Sequence, residues 1–538
     1  MRRQAKVLLI YPRFTGASFW NFREACALIG ARYPAPPLGL ITVAAMLPQD
    51  WELRLVDRNV EELSDRDIDW ADLVLTGGML PQQVDVLHII GLAHAAGKPV
   101  AVGGPDATSS PEIYAGADFR VLGEAEDVID AFVAAWSAGE KKGEFLAPKF
   151  QADVTRTPVP RFDLLKFSNY TFIGIQFSRG CPFTCEFCDI IELYGRVPRT
   201  KSTAQILAEL DALYTLGYRG HVDFVDDNLI GNKKAVKAFL PALIEWQKAR
   251  HYPFEFSTEA SLNLADDAAL LDLLAEAGFF TVFVGIESPD EDVLRATQKK
   301  QNTRRDIVAS IDKIYAAGIV VIAGFILGFD EETPGAGGRM TALIEDASIP
   351  VSMVGLLYAL PNTQLTTRLE REGRLYSGHE VDMDDGSADQ CVSGLNFATK
   401  RPRIDILRDY HGVVSSIYTP EAFFGRISRV GRKLRVRHIE GGFNWGRTWV
   451  DARRFLYFTV AATVKRPKFA GQMALMIGKG LVSNPAALPH LFKMAILYAH
   501  LGPFSQHIGR EIASQIGAIE ETRGTVPDRV YESRLRPA

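Results

Sequence analysis

The hydrophobic positions in the N-terminal quarter of the chain form short apolar runs separated by longer amphipathic stretches. Five runs have the length of buried strands: KVLLIYP, WELRLVD, ADLVLTGG, KPVAVGG and FRVLG. The intervening PLGLITVAAMLP and PQQVDVLHIIGLAHAAGK have the length and periodicity of helices. This alternation predicts an α/β fold with a doubly wound, Rossmann-like domain at residues 1–140. Residues 141–167 mix charge, glycine and proline and are expected to form a linker.

The same alternation resumes after the linker. The apolar runs IGIQFS, HVDFVDD, FEFSTEAS, TVFVGIES, VVIAGFILGF and VSMVGLLYAL are separated by helical stretches such as STAQILAELDALYTLG. They predict a second unit with a parallel sheet at residues 168–365. From 366 to 538 the strand-helix rhythm is lost, and the pattern predicts a mostly helical C-terminal domain.

Composition narrows the class of protein. The 538 residues include 47% apolar and 23% charged side chains, which excludes a disordered chain, and a net charge of −5 argues against a dedicated nucleic-acid binder. The longest apolar stretches are shorter than a membrane-spanning helix needs. The odd number of cysteines, five, and the short apolar stretch at the N-terminus favour a reducing, cytoplasmic location.

Small residues follow two strands of the first domain, where doubly wound domains bind ligands. The absence of a G-x-G-x-x-G string disfavours a nicotinamide or flavin dinucleotide. Glycines there allow a flat or phosphorylated ligand to approach the backbone, although plain turns are the commoner explanation. The candidates are Thr76, Gly77, Gly78, Gly103, Gly104 and Pro105.

Three of the five cysteines lie within eight residues, in the string RGCPFTCEFCD. The Cys-x3-Cys-x2-Cys spacing of Cys181, Cys185 and Cys188 suits three irons of a [4Fe-4S] cluster and leaves the fourth iron without a protein ligand. A structural zinc site is the alternative, but zinc prefers four ligands at paired spacings. His221 and Cys391 are the nearest later candidates for a fourth ligand.

This motif resembles that of the radical S-adenosylmethionine (SAM) superfamily, in which an aromatic residue, here Phe187, precedes the third cysteine. The resemblance implies a partial (β/α)6 barrel whose open iron chelates SAM. Reductive cleavage of SAM would then give a 5′-deoxyadenosyl radical that abstracts hydrogen from a substrate. It also implies an electron donor such as flavodoxin or ferredoxin.

The resemblance implies further SAM contacts at strand ends. Asp226, Asp227 and Asn228 stand where the family commonly has a Gly-Gly-Glu-like turn for the SAM amino group. Glu259 and Glu287, which end two later strands, are candidates for the ribose hydroxyls or the amino group, with solvated strand ends as the alternative.

A second family pattern, G-x-I-x-G-x-x-E, is matched from Gly324 through Ile326 and Gly328 to Glu331. In the family this apolar strand lies beside the adenine. Arg196, Arg199 and Lys201, just beyond the cysteines, are candidates to pair with a carboxylate or phosphate, with surface charge as the alternative for at least one of them.

The first domain resembles the cobalamin-binding domain of cobalamin-dependent radical SAM enzymes, although the Asp-x-His-x-x-Gly string that supplies an axial histidine is missing. Three strings, GCPFTCEFCDIIELYGRVPRTK, FVDDNLIGNKKAVKAFLPALIEW and NTRRDIVASIDKI, resemble most closely the group that contains hopanoid methylases, and the resemblance covers nearly the whole chain. It implies a methyltransferase acting on an unactivated carbon of a small-molecule or lipid-like substrate. The alternative is radical chemistry without methyl transfer, such as cyclisation, oxidation or carbon–carbon bond formation, with the first domain as a scaffold.

Residues 401–470 contain 15 Lys or Arg and five Asp or Glu, a local net charge of +10. One hypothesis is a peripheral contact with anionic lipid through this basic region and its aromatics Phe423, Phe424, Trp445, Trp449, Phe455 and Tyr457. A solvated helical face packed on the barrel is the favoured alternative. An RNA-modifying radical enzyme is disfavoured, because the first domain holds only Cys26 and the C-terminus is not β-rich. A noncatalytic iron-sulfur scaffold would not explain the polar strand ends.

Overall fold

The computed structural model describes residues 4–14, 18–376, 391–436 and 467–522, together with four single positions, 456, 459, 460 and 463. Within these residues the chain forms two parallel six-stranded sheets and a helical C-terminal region. The predicted α/β class and its three-part arrangement are confirmed.

The first sheet has the order β2-β1-β3-β4-β5-β6 with all neighbours parallel. Its strands are β1 (Lys6–Tyr11), β2 (Glu52–Asp57), β3 (Leu73–Gly77), β4 (Val100–Gly103), β5 (Phe119–Leu122) and β6 (Gly143–Leu146). Its helices are α1 (Arg23–Ile29), α2 (Leu38–Met46), α3 (Asp65–Trp70), α4 (Gln83–Ala95), α5 (Pro105–Ser109) and α6 (Ile129–Ala138). Apolar clusters cover both faces of the sheet, which explains the nearly continuous apolar run of β1.

The sixth strand, β6, lies inside the segment interpreted above as a linker. It pairs with β5 at the edge of the sheet, and its residues alternate between half-buried and exposed. A four-residue, half-exposed edge strand has no apolar run, so the hydrophobic pattern of the sequence does not reveal it.

The second sheet has the order β14-β13-β12-β11-β10-β7 and matches the six predicted runs. Its strands are β7 (Phe172–Ile175), β10 (Gly220–Phe224), β11 (Phe254–Glu259), β12 (Phe279–Glu287), β13 (Val320–Leu327) and β14 (Val351–Leu356). Two short strands, β8 (Ser178–Arg179) and β9 (Arg199–Thr200), form a separate antiparallel pair. The helices of this unit are α7 (Ile190–Leu193), α8 (Thr203–Thr215), α9 (Lys233–Ala249), α10 (Ala268–Ala277), α11 (Glu291–Ala296), α12 (Ile307–Ala316), α13 (Ala336–Asp346) and α14 (Gln364–Arg371).

The described C-terminal helices pack on this barrel. They are α15 (Arg403–Ile417), α16 (Pro420–Lys433), α17 (Pro467–Ser483) and α18 (Leu488–Thr522). The long helix α18 contacts α1 of the first domain, strand β11 of the barrel and the helices α15 and α16. Lys493 pairs with Glu255 of β11 at 2.5 Å, and the two ring nitrogens of His500 lie 2.7 Å from Glu24 Oε2 and 3.0 Å from the Ser18 carbonyl oxygen.

Part of the basic C-terminal region packs against the barrel. Arg426 is fully buried and pairs with Glu345, as does Arg429, and Lys433 pairs with Asp312 at 2.8 Å. These three basic side chains therefore compensate carboxylates on the helices of the barrel. Phe423 and Phe424 are also buried, so their proposed place on a lipid-facing surface is wrong. Trp445, Trp449, Phe455 and Tyr457 lie outside the described residues.

Candidate active site

The cysteine loop is closed at its base by the antiparallel pair of β8 and β9. Gly180 begins the loop with φ +94°, and an added Cβ would lie 2.9 Å from the Gly195 carbonyl oxygen, so only glycine fits there. The Cys181 amide donates to that same oxygen at 3.2 Å. The loop thus leaves the carboxyl end of the barrel at a fixed angle.

The three thiols of the loop are buried or half-buried, and burial raises the pKa of each. Side-chain amides approach two of the sulfur atoms: Asn228 Nδ2 lies 3.9 Å from Cys181 Sγ, and Gln301 Nε2 lies 3.8 Å from Cys185 Sγ. Among the described residues, no three His, Cys, Asp or Glu side chains converge on a single ion. In an iron-sulfur cluster each thiolate binds a different iron, so the three sulfur atoms do not have to converge on a single ion. Three neighbouring sulfurs with amide donors fit a cluster.

Asp226 and Asp227 brace the loop. Asp226 is 1% exposed and accepts hydrogen bonds from the Phe177 amide at 3.0 Å and from the Ser178 amide and hydroxyl. Burial raises its pKa to about 7, against the effect of these bonds. Asp227 accepts from the Gly180 amide at 3.0 Å. Both carboxylates are therefore committed to the backbone that carries the first cysteine.

Asn228, the third residue of the same turn, bridges two strands. Its Nδ2 donates to Ser261 Oγ at 3.1 Å, and its Oδ1 accepts from the Ser261 amide at 3.2 Å. The side chain is thereby fixed with its amide near Cys181.

Glu259, at the end of β11, makes no side-chain hydrogen bond within the described part of the chain and is reached by solvent. Desolvation by the surrounding protein, followed by the negative charges of Asp223 and Asp227, raises its pKa to about 8. A carboxylate in this setting is stabilised by an added cation.

We expect Glu259→Gln to stabilise the cofactor-free protein relative to the wild type by an amount that grows as the pH rises from about 4.5 to about 8. Below about pH 4.5, the ordinary pKa of glutamate, Glu259 is neutral in both the folded and the unfolded chain. Between pH 4.5 and 8 the folded protein retains a proton that the unfolded chain releases, so the wild type loses stability as pH rises. Thermal melts should give the variant a higher Tm above pH 8 and the same Tm near pH 4.5. An equal difference at both pH values, or the same behaviour in the exposed control Glu140→Gln, would contradict this.

Glu287, at the end of β12, is paired with a residue that sequence reasoning missed. Lys299 Nζ lies 2.6 Å from Glu287 Oε1 and 6.0 Å from the ring centre of Phe187, and both charged side chains are almost fully buried. Attraction to Glu287 and to the cysteine sulfurs outweighs desolvation and raises the pKa of Lys299. Its sequence, ATQKKQN, resembles an exposed helix end, so no signal marks this lysine.

The glycine-containing strand β13 lies beside this pair. Gly324 is opposite Gly285 of β12, and a Cβ on Gly324 would lie 2.9 Å from the Phe283 ring. Ile326 is half-buried, next to Gly355 of β14. The strand thus presents backbone rather than side chains at this point.

Gly328 ends the strand with φ +112°, and its amide donates to Glu332 Oε1 at 2.9 Å. The carboxylate that holds this turn is Glu332, which is buried and paired with Arg401 at 3.0 Å. Glu331, the residue that fits the family pattern, is exposed. Phe187 packs 5.6 Å from Phe329, measured between ring centres.

The glycines at the edge of the first sheet pack backbone against backbone. A Cβ on Gly77 would lie 2.3 Å from the Gly103 carbonyl oxygen, and one on Gly103 would lie 2.9 Å from that of Val121. Gly104 has φ +93°, and Gly78 accepts a hydrogen bond from the Asp106 amide at 3.3 Å. These contacts leave accessible backbone, without side chains, at the carboxyl ends of β3 and β4, where doubly wound domains bind ligands.

Thr76 and Pro105 flank this surface with structural roles. The Thr76 hydroxyl donates to the Ile10 carbonyl oxygen at 2.9 Å, and Pro105 begins α5. Of the basic candidates beyond the cysteine loop, Arg196 is exposed, Arg199 pairs with Glu124 at 2.8 Å, and Lys201 pairs with Glu209 at 2.5 Å in the interior.

The two sheets meet at the cysteine loop. Arg179, two residues before Cys181, binds Glu124 and Glu126, which follow β5 of the first domain. On the other side, Asn362 Nδ2 donates to the Ser109 carbonyl oxygen at 2.8 Å. The carboxyl edge of the first sheet therefore faces the carboxyl end of the barrel.

Three family models match the chain: a B12 binding domain at residues 26–133, the radical SAM superfamily at 175–337 and a domain of unknown function (DUF4070) at 363–514. The structure resembles that of the radical SAM methyltransferase TsrM of Kitasatospora setae, with a TM-score of 0.61, 15% identity, and coverage of 86% of this chain and 100% of that one. None of the described helices is long and apolar enough to cross a membrane.

Two relatives define the family more closely. The uncharacterized methyltransferase sll1242 of Synechocystis sp. is 44% identical over 99% of this chain and 97% of its own length. Hopanoid C-2 methylase of Rhodopseudomonas palustris is 38% identical over 78% of each chain. A radical SAM domain implies a [4Fe-4S] cluster and SAM, and a B12 binding domain implies cobalamin, so the expected cofactors are confirmed. The chain belongs to the family of cobalamin-dependent radical SAM methyltransferases that includes hopanoid C-2 methylase.

Proposed function

We propose that this enzyme methylates an unactivated carbon of an apolar, hopanoid-like lipid. The observation that carries the proposal is that the carboxyl edge of the first sheet, with its glycines, lies next to the cysteine loop and is joined to it by the pair of Arg179 and Glu126. Methyl transfer to a carbon radical requires the methyl donor and the radical source to face one substrate. The lipid class is supported by the relationship to hopanoid C-2 methylase.

The three cysteines, Cys181, Cys185 and Cys188, are the proposed ligands of the cluster. When bound, the cluster and SAM supply the 5′-deoxyadenosyl radical, and cobalamin supplies the methyl group. Asp226 and Asp227 hold the backbone of the loop, so their contribution is to position the ligands.

The proposed SAM site lies at the carboxyl end of the barrel. Glu259 accepts from the ammonium group of SAM, because it lacks a described partner and its neighbours are acidic. Lys299, held by Glu287, attracts the SAM carboxylate. Phe187, Asn228, Gly324, Ile326 and Gly328 form the remaining walls.

We expect Lys299→Met to weaken SAM binding by about 10-fold to 100-fold, the usual effect of losing a charge-assisted hydrogen bond. Isothermal titration of the cluster-loaded protein with SAM would measure the change in Kd. The neighbouring exposed lysine provides the control, and Lys300→Met should leave the Kd unchanged. Equal Kd values for the two variants would remove Lys299 from the SAM site.

The first domain, residues 1–140, is the proposed cobalamin domain, with Thr76, Gly77, Gly78, Gly103, Gly104 and Pro105 at its binding edge. Residues 168–365 are the proposed radical SAM core, and 366–538 are the C-terminal domain. We place the enzyme in the cytoplasm with a flavodoxin-type or ferredoxin-type reductant, which is consistent with five cysteines that form no disulfide. A peripheral contact with anionic lipid stays a prediction, and flotation with anionic liposomes at two salt concentrations would test it.

The function is tested with anaerobic protein, reductant and SAM, in the presence and absence of cobalamin. We expect both 5′-deoxyadenosine and S-adenosylhomocysteine, the second only when cobalamin is present, and a hopanoid in detergent should gain one methyl group. Deoxyadenosine alone would refute methyl transfer and favour radical cyclisation, oxidation or carbon–carbon bond formation. Methylation of other lipids but not of hopanoids would refute the substrate class.

A further inference from the structure

Four charged side chains bridge the two sheets beside the cysteine loop. We call Arg179, Arg199, Glu124 and Glu126 the clasp. Arg179 lies 3.2 Å from Glu124 and 2.8 Å from Glu126, and Arg199 lies 2.8 Å from the second oxygen of Glu124. The exposed fractions of the four side chains are between 3% and 16%, so these pairs are shielded from water and salt.

The clasp joins elements with known places in the fold. Glu124 and Glu126 follow β5, and Gly123 before them is held by a hydrogen bond from its amide to Thr108 Oγ1 at 2.9 Å. On the barrel side, Arg179 and Arg199 are paired residues of β8 and β9, the two strands that close the cysteine loop. One end of the clasp is therefore fixed to the turn after β5, and the other end is fixed to the strand pair that closes the cysteine loop.

Further bonds set the orientation of each member. Arg179 Nε donates to Gln176 Oε1 at 2.8 Å, and Glu126 accepts from the Thr157 hydroxyl at 2.7 Å. Arg199 also donates to the carbonyl oxygens of Ala152 and Tyr194, both at 2.9 Å. The clasp is thus hydrogen-bonded to the segment that connects the two sheets and to the far end of the cysteine loop.

Stability alone does not account for this arrangement. A buried ion pair is often no more stabilising than apolar packing of the same volume, whereas its hydrogen-bond geometry fixes the register of the parts that it joins. The guanidinium of Arg179 makes a forked contact with Glu126, which permits only one orientation. Other bonds, such as that between Tyr170 and Asp57 at 2.9 Å, already join the domains.

We propose that the clasp is a positioning device that sets the distance between the cobalamin-binding edge and the cluster loop. This inference rests on the proposed function. If the distance varies, the deoxyadenosyl radical forms without a methyl donor in reach, and SAM is consumed without product. Arg179, Arg199, Glu124 and Glu126 are positioning residues, since they act through the loop and the sheet edge.

The test uses Glu126→Gln and the conservative Arg179→Lys in the full chain. The matched control is Arg120→Lys, because Arg120 pairs with Glu144 at 2.6 Å within the first sheet and does not cross to the barrel. Hydrogen exchange followed by mass spectrometry should show faster exchange in both segments 119–128 and 176–190 of the clasp variants. In the control, segment 176–190 should be unchanged.

Two further measurements separate positioning from a structural role. With cluster and cobalamin content equal to the wild type, pulsed EPR between the reduced cluster and bound cob(II)alamin should give a broader distance distribution. The ratio of 5′-deoxyadenosine to S-adenosylhomocysteine should rise by about tenfold or more. An unchanged exchange pattern, or faster exchange with an unchanged distance distribution and product ratio, would overturn the proposal. Failure of the proposed function would instead appear in the wild type, as a lack of S-adenosylhomocysteine. In that case the hydrogen-exchange and distance measurements would still test whether the clasp positions the two domains.

Discussion

Alanine at any one of Cys181, Cys185 or Cys188 is expected to abolish reductive cleavage of SAM. Each thiolate is the proposed ligand of a different iron, and the loop offers no spare cysteine, because the other two are elsewhere: Cys26 in α1 and Cys391 beyond β14. Loss of one ligand exposes a second iron, and the cluster is then lost or oxidised. After anaerobic reconstitution, iron content, the visible absorption of the cluster and 5′-deoxyadenosine should all fall to background.

The control for this experiment is Cys26→Ala. Cys26 is 1% exposed, more buried than any of the three cluster cysteines, and it lies in α1, away from the cysteine loop. This variant should retain iron, visible absorption and deoxyadenosine formation. A cysteine-loop variant that still formed deoxyadenosine at the wild-type rate would sink the assignment of the cluster site.

The replacement Asp226→Asn should destabilise the protein and reduce cluster loading together. Asp226 accepts hydrogen bonds from the backbone amides of Phe177 and Ser178 and from the Ser178 hydroxyl. An asparagine has only one acceptor oxygen, and its NH2 group cannot accept a hydrogen bond. At least one of the buried donors would therefore lose its partner. Unsatisfied buried donors cost about 1–3 kcal/mol each, and we expect the free energy of unfolding to fall by about 2–4 kcal/mol.

Urea unfolding of the wild type and variant would measure this loss, with Asp50→Asn as the matched control, since Asp50 is exposed in the turn before β2. Reconstituted iron per chain should fall in Asp226→Asn and not in the control. Normal stability combined with lost SAM binding would show that Asp226 contacts SAM directly, in place of the bracing role assigned here.

The period of the hydrophobic pattern was sufficient to predict both sheets, because parallel strands covered on two faces are apolar throughout. It failed at β6, whose four residues are half-exposed. It also gave no sign that Phe423 and Phe424 are buried. In the sequence, an apolar residue near arginines looks the same whether the arginines are exposed or, like Arg426, are buried and paired with a carboxylate.

The candidate site shows a similar division. The cysteine spacing and the strand-end carboxylates are local in sequence and were predictable. The partner of Glu287 was not predictable, because the turn after α11 is what places Lys299 next to Glu287. Glu332 in place of Glu331 is another such case. Which of two adjacent glutamates faces the Gly328 amide depends on a backbone turn that residue identity does not encode.

Helix α18 has a consequence for how the protein is made. The contact between Glu24 and His500 joins residues 476 positions apart, and Lys493 pairs with Glu255 near the amino-terminal end of strand β11. During synthesis, domains tend to fold in the order in which they leave the ribosome. The surfaces of α1 and of the barrel that α18 contacts therefore stay exposed until nearly 500 residues have been translated. Ribosome-bound intermediates of this chain are expected to be good clients for chaperones, and premature termination before α18 should give an aggregating product rather than a smaller enzyme.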